Sequence, residues 1–258
     1  MTVVACGALM GRAARAGLPP RIAKSVIAIG NYVVGEPELR FLRILCDKAK
    51  CSIDVGANVG AYTYFMRRWS RSCVAFEPNP ASARFLRLAY LAYPDVVVQQ
   101  VALSDMAIDG ALFGVPDPKE DPAAAGGHLL AQEGSRAQAG EFATLRVQTG
   151  RLDDFAIHDV GLIKIDTEGH ELAVLRGGLA TISTYKPRLI VECEERHRPG
   201  ALASVVDITS GQGYVPLCLT VSGRYESFES ARRGYDRAAT QNFVFLHKDD
   251  DLLGHFTH

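Results

Sequence analysis

The sequence predicts an α/β fold in which a mostly parallel sheet is covered by helices on both faces. Five short apolar runs, at residues 51–55, 73–76, 96–102, 162–165 and 188–191, read as strands. Helical segments separate them, and continuous apolar strands alternating with helices mark a parallel sheet buried on both sides. A turn carrying Gly56 and Gly60 follows the first run directly and opens a helix. Open α/β folds bind their ligands at that edge of the sheet.

Ahead of the first strand, residues 10–46 carry helical signals at 21–29 and again at 36–45, the second opening at Glu36-Pro37. Proline in a first turn and an early acid both suit a helix start. Asn79 before Pro80 marks another start, a side-chain acceptor followed by a ring that fixes φ. Residues 168–178 read as a helix stopped by Gly177-Gly178. Two later apolar segments, 214–220 and 242–247, are expected to add an antiparallel hairpin at the sheet edge. Residues 106–149 form an insertion with Pro116, Pro118, Pro122 and a Gln/Gly/Ser-rich stretch. It is expected to be weakly structured, as a binding lid or a surface loop. No internal repeat is present, and the chain reads as one domain over 1–258. A helical cap occupies 1–49, the core 50–195, and a C-terminal helix and hairpin 196–258.

Composition narrows the function classes. The 258 residues are 48% apolar and 22% charged, an ordinary globular balance that excludes a disordered chain, a collagen-like fibre and a disulfide miniprotein. The formal net charge is -1, which gives generic nucleic-acid binding little electrostatic support. Cys6, Cys46, Cys51, Cys73, Cys193 and Cys218 form no CxxC pair and are expected to be reduced thiols of a cytoplasmic protein. The apolar stretch 3–10 is too short to span a bilayer, and no cation precedes it as in a signal peptide. It is compatible with peripheral contact.

The chemistry concentrates at the strand ends. The turn reads Asp54-Val55-Gly56-Ala57-Asn58-Val59-Gly60. Its glycines let the backbone turn tightly and approach a ligand. Ala57 and Asn58 break the dinucleotide fingerprint, and no Walker lysine follows. An acid at Asp54 suits the ammonium of a zwitterionic cofactor better than a pyrophosphate. Glu77 ends the second strand, where cofactor domains of this class hold ribose hydroxyls, and a carboxylate accepts two bonds from a diol. The third run ends in Ala102-Leu103-Ser104-Asp105. Three consecutive strand ends bearing polar groups point to a cofactor cleft.

These motifs resemble the FkbM family of S-adenosylmethionine-dependent methyltransferases. The resemblance rests on Gly35-Glu36-Pro37-Glu38-Leu39-Arg40-Phe41-Leu42, the 53–60 turn, Ala75-Phe76-Glu77-Pro78-Asn79-Pro80 and residues 102–105. It continues through Leu152-Asp153-Asp154, the 162–171 run, Arg176-Gly177-Gly178 and Val191-Glu192, in order over roughly residues 35–195. It implies a doubly wound, Rossmann-like sheet of seven strands, mostly parallel with a C-terminal antiparallel hairpin. It also implies O-methylation of a hydroxyl on a sugar, glycan or secondary metabolite, with S-adenosylhomocysteine as product. Carried onto this chain, Asp54, Gly56, Asn58 and Gly60 would line the methionine end, with Ala57 and Asn79 counted among the cofactor residues. Glu77 would hold the ribose, Ser104 and Asp105 would lie beside adenine, and Asp166 near the methyl.

An alcohol acceptor must lose a proton, and a positioned base typically contributes about 10²–10⁴-fold. Asp166, Glu168, His170 and Glu192 are the base candidates at the strand ends, with Glu168 favoured slightly over His170. Strand alternation puts Lys164 and Asp166 on one face, and Lys164 is expected to pair with Asp54 in a structural role. Asp166, Glu168 and Glu192 could offer oxygens to Mg²⁺ or Ca²⁺, but no spacing singles them out and no metal is predicted. His128 is a speculative acceptor contact. Glu194, Glu195, His197 and Arg198 read as a solvated cluster, and His247, His255 and His258 are too scattered to argue a site. The competing readings are a non-catalytic S-adenosylmethionine-binding protein and, disfavoured by the broken fingerprint, an NAD-linked oxidoreductase. The partners expected are a small-molecule or glycan acceptor, with no nucleic acid and no integral membrane segment.

Overall fold

Strand β1 (Cys51–Val55) is buried along its whole length and has a parallel neighbour on each side, β2 (Ser72–Phe76) and β9 (Val160–Ile165). The computed structural model describes residues 18–34, 36–116, 128–129, 142–194, 198–219, 225–227 and 241–256. The main sheet extends outward from β2 to β3 (Val96–Gln99), and from β9 to β10 (Arg188–Glu192), all in parallel. Beyond β10 the sheet turns antiparallel through β13 (Asn242–His247), β11 (Tyr214–Leu219) and the three-residue β12 (Tyr225–Ser227). The hairpin partners β11 and β13 are therefore both present, but the later strand lies inside the earlier one, against β10. All six residues of β13 are buried, which is why it takes the inner place.

Alternation along the strands sorts side chains to two faces. Ile53, Val55, Ile163, Ile165, Leu189, Val191, Phe243 and Phe245 share one core. Helices α5 (Glu171–Gly177), α6 (Leu179–Tyr185) and α7 (Ala201–Gly211) cover that face, with Val174, Ile182 and Val205 packed into the same core. Leu162, Ile190, Val244 and Leu246 face the other way, into a core shared with α2 (Leu42–Leu45) and α3 (Ala61–Trp69). Helix α1 (Pro20–Val34) lies outside α3 and α4 (Pro80–Tyr90) and contacts both. A final turn of helix, α8, spans Leu253–Phe256. The five described cysteines are free and buried.

Several sequence expectations need correction. Residues 36–45 form a 3-10 turn, Pro37–Phe41, followed by the short α2, not one helix. The third run splits after Gln99, and Ala102–Leu103 (β4) leaves the main sheet to pair with Thr149–Gly150 (β8). The helix expected at 168–178 starts only at Glu171, because Glu168 and Gly169 take left-handed φ values of +53° and +102°. Gly178 does not end it cleanly either, since α6 begins at the next residue. The insertion is more structured than expected: β5 (Ala111–Pro116) pairs antiparallel with β6 (His128–Leu129) and β7 (Phe142–Val147). Residues 3–10, 117–127 and 130–141, together with Glu195, His197, His258 and the His128 side chain, lie outside the described residues.

Candidate active site

The turn after β1 exists because three of its residues accept left-handed backbone: Gly56 at φ +76°, Asn58 at +48° and Gly60 at +82°. Glycine does so without strain, and asparagine is among the few side chains that visit this region. The N–H groups of Gly56 and Ala57 both reach the Phe76 carbonyl at 3.0 Å, tying the turn to the end of β2. A Cβ on Gly56 would lie 1.8 Å from the Asp166 carbonyl oxygen, so this glycine lets the ends of β1 and β9 close together.

These strand ends line an open cavity with about 1130 Å³ of empty space, counting the solvent at its mouth. Of the sequence-predicted residues, Asp54, Gly56, Ala57, Asn58, Glu77, Asp166, Glu168, His170 and Glu192 line it. Gly60, Asn79, Ser104 and Asp105 do not form its wall and act one layer back. Gly60 sits under Leu86 and Tyr90, whose hydroxyl donates to the Gly60 carbonyl at 3.3 Å. Asn79 caps α4 by accepting from Ala81 N at 2.9 Å. Ser104 Oγ lies 2.9 Å from His170 Nε2 and 3.3 Å from Asp105 Oδ1.

Glu77 is held with its two oxygens apart. Oε2 accepts from Asn58 N at 2.7 Å and Oε1 from Asn79 N at 2.8 Å. Each oxygen keeps a further acceptor site, the pattern a vicinal diol requires. Burial pushes the carboxyl up to about 7, while the two N–H groups pull the other way.

Lys164 is buried among carboxylates. In register it stands beside Asp54, but its ammonium bonds Asp166 Oδ2 at 2.6 Å, one pleat along the same strand face. The expected Asp54 partnership is thus one of proximity, while the hydrogen bond goes to Asp166. Burial alone would lower the lysine pKa, but Asp166, Glu36, Asp54 and Glu192 outweigh it and raise it, so the ammonium stays charged. The Tyr62 ring stacks 4.3 Å from Nζ. Asp54 accepts from Thr63 Oγ1 at 2.5 Å; its pKa is raised by burial, against the pull of Lys164. Glu36 and Glu192 are raised as well, by burial first.

The loop after β9 carries the acceptor-side candidates. Glu171 Oε1 accepts from Gly169 N at 2.9 Å and from both Thr167 N and Thr167 Oγ1 at 3.2 Å, fixing the loop from below. Glu168 takes its left-handed φ within this brace, and a non-glycine residue so placed is held there by its surroundings. Burial lowers the His170 pKa, so the ring is neutral near pH 7.

Sequence reasoning missed Glu36, Tyr62, Phe113, Leu129, Gln241 and Asn242 as parts of the wall. Glu36 was visible as a helix-start acid and as part of the 35–42 motif, with no site role attached to it. Nothing in the sequence links residues 241–242 to the distant strand ends they join.

The unmet hydrogen bonds say what the cavity takes. Asp54 Oδ1, Asn58 Oδ1 and Asn242 Oδ1 are buried without a hydrogen-bond partner among the described residues, and all three residues line the cavity. Buried acceptors left unpaired call for donors from a ligand. The ammonium and ribose hydroxyls of S-adenosylmethionine supply donors, so the residues present fit that group. Among the described residues, no group of three or more His, Cys, Asp or Glu is arranged to hold a metal ion.

Comparison with known proteins agrees. The family described as Methyltransferase FkbM domain matches residues 54–216. No curated protein sequence matches the chain. A crystal structure of methyltransferase FkbM from Methylobacillus flagellatus KT superposes with a TM-score of 0.51 at 17% identity, covering 88% of this chain and 55% of that one. The chain thus spans about half the length of that protein, and at this identity the likeness concerns the fold. An rRNA methylase from Streptococcus thermophilus gives 0.44 at 12% identity, covering 83% of this chain and 96% of that one. A methyltransferase from Streptococcus mutans in complex with S-adenosylhomocysteine gives 0.46 at 11%, covering 83% and 97%. With its family match running over well more than half its length, this chain belongs to the FkbM methyltransferase domain family, whose methyl donor is S-adenosylmethionine.

Proposed function

We propose that the protein methylates a hydroxyl of a carbohydrate, glycan or secondary metabolite, and that the cavity at the β1, β2 and β9 ends is its active site. The observation that carries this reading is the division of the cavity into two chemistries. On one side, the ends of β1 and β2 offer the unpaired acceptors of Asp54 and Asn58 and the diol-spaced oxygens of Glu77, while Asn242 stands beside Glu192. The other side presents Asp166, Glu168, His170 and Glu192 from the ends of β9 and β10.

S-adenosylmethionine supplies a methyl already activated on a sulfonium, so the protein's work is alignment and proton removal. Asp54 and Asn58 hold the ammonium end, Glu77 the ribose, and the Gly56 turn keeps the backbone close. Holding two reactants in line is worth roughly 7–11 kcal/mol of the barrier. Glu168, with neutral His170 beside it, takes the acceptor proton. Lys164 keeps Asp166 fixed.

Calorimetric titration with S-adenosylhomocysteine tests the cofactor half, with Glu77→Ala alongside. Micromolar binding lost in the variant supports the assignment. A folded wild type that binds nothing overturns it. A mass-spectrometric screen for a 14-dalton (roughly one CH₂) gain on hydroxylated acceptors tests the other half.

A further inference from the structure

The outer face of α1 is apolar where a surface helix is ordinarily polar. Ile22, Val26, Ile29 and Val33 recur at helical spacing and are between 43% and 60% exposed, with Tyr32 exposed beside them. The opposite face is already used: Ala23 and Ile27 pack on Val59 of the cofactor turn. The helix is therefore apolar on both sides, and one of those sides is uncovered among the described residues. Leu88 on the neighbouring α4 and Leu91 just past its end are exposed as well.

The exposed charge on the helices of this face is of one sign, Lys24 being buried and Arg67 paired with Asp95 at 2.9 Å. Helices α1, α3 and α4 contain Arg21, Lys24, Arg67, Arg68, Arg84 and Arg87 and no Asp or Glu. Arg21, Arg68, Arg84 and Arg87 are exposed, and Arg40 reaches the Val33 carbonyl at 3.5 Å. These helices are thus cationic within a chain that is nearly neutral as a whole. No described helix is long and apolar enough to cross a membrane.

We propose that the outer face of α1 docks on the surface of an anionic lipid bilayer. An aliphatic stripe bordered by arginines is the pattern of a helix lying in a membrane interface, and anionic headgroups attract the bordering cations. A second copy of the chain would set arginines against arginines, and nucleic acid would find no donor along the aliphatic stripe. Docked this way, the cofactor turn lies one helix diameter, about 10 Å, from the lipid, within reach of acceptors held at a membrane.

Flotation of the full chain with vesicles tests this. The expected result is roughly tenfold more protein carried by phosphatidylcholine vesicles containing phosphatidylglycerol than by phosphatidylcholine alone. Ile29→Asp and Val26→Asp should each reduce that binding about tenfold, with melting temperature and S-adenosylhomocysteine titration unchanged. Absence of flotation on anionic vesicles, or equal flotation of both variants, overturns the proposal. So does a dimer that Ile29→Asp dissociates in the absence of vesicle binding, which assigns the face to a second copy.

Discussion

Gly56 and Asp166 meet backbone to backbone, and any Cβ on Gly56 would stand 1.8 Å from the Asp166 carbonyl oxygen. Two costs would fall on Gly56→Ala at once: a left-handed φ of +76° and a collision with rigid backbone. Gly200 separates them, since it has φ +75° but nothing within 4 Å of the added carbon. Gly200→Ala should cost about 1 kcal/mol in denaturant unfolding. Gly56→Ala should cost more than about 2 kcal/mol and abolish S-adenosylhomocysteine binding. Equal costs for the two would show that the strand ends can part.

Glu77 gives the cofactor site a pH dependence. Its carboxyl in the free protein is pushed up to about 7, and a diol is best held by the ionised form. Affinity for S-adenosylhomocysteine should therefore be level well above pH 7 and weaken by roughly tenfold per unit below it. In Glu77→Gln that slope should vanish and the Kd rise roughly tenfold to a hundredfold at pH 8. The free protein should move the opposite way. The folded pKa lies above the unfolded one, so the wild type loses stability between about pH 4.5 and 7, and the glutamine variant should melt higher above that window.

Lys164 neutralises a buried acidic cluster. Its folded pKa is raised, so its contribution is fully present below the ordinary value of 10.5 and is lost as the pH rises through the folded value. Lys164→Met removes the cation that offsets the raised acids Glu36, Asp54 and Glu192. At pH 8 the loss should be about 3–5 kcal/mol. Lowering the pH toward 5 should recover much of it, because acids with raised folded pKa values cost stability only above their unfolded values. A pH-independent loss in urea unfolding would contradict this account.

Base assignment on the acceptor side is separable from binding. With a methyl acceptor in hand, Glu168→Gln should lower kcat by about 10²–10⁴-fold and leave the S-adenosylhomocysteine Kd within about twofold. His170→Asn should cost less. A larger kcat loss in the histidine variant would reverse the two roles.

How much of this was legible in sequence follows from what each pattern reports. Apolar runs report burial, so β1 was found to the residue, and β9 and β10 to within two. Side-chain chemistry next to a strand end points to a cleft, so Asp54, Glu77 and Asp166 could be picked out as wall residues, while Asn58 came with the family resemblance. Glu171 entered only as the end of the 162–171 run, because no spacing rule shows a carboxylate accepting from the loop before its own helix. Glu36 and Asn242 reach the cavity through chain crossings that leave no local trace. The insertion was misread because prolines and glycines outweighed the short β pattern of residues 111–116 and 142–147.

The insertion leaves and rejoins the core at neighbouring points. Ala102 pairs with Thr149 and Leu103 with Gly150. Thr149 Oγ1 accepts from Ile108 N at 2.8 Å and donates to the Met106 carbonyl at 2.7 Å, pinning the base shut. Forty-odd residues are thus carried as a cassette whose two ends are already joined. It lends Phe113 and Leu129 to the cavity wall, while the residues assigned here to the cofactor belong to the scaffold beneath. Lengthening or replacing the cassette beyond that joined base therefore costs the scaffold little in loop-closure entropy.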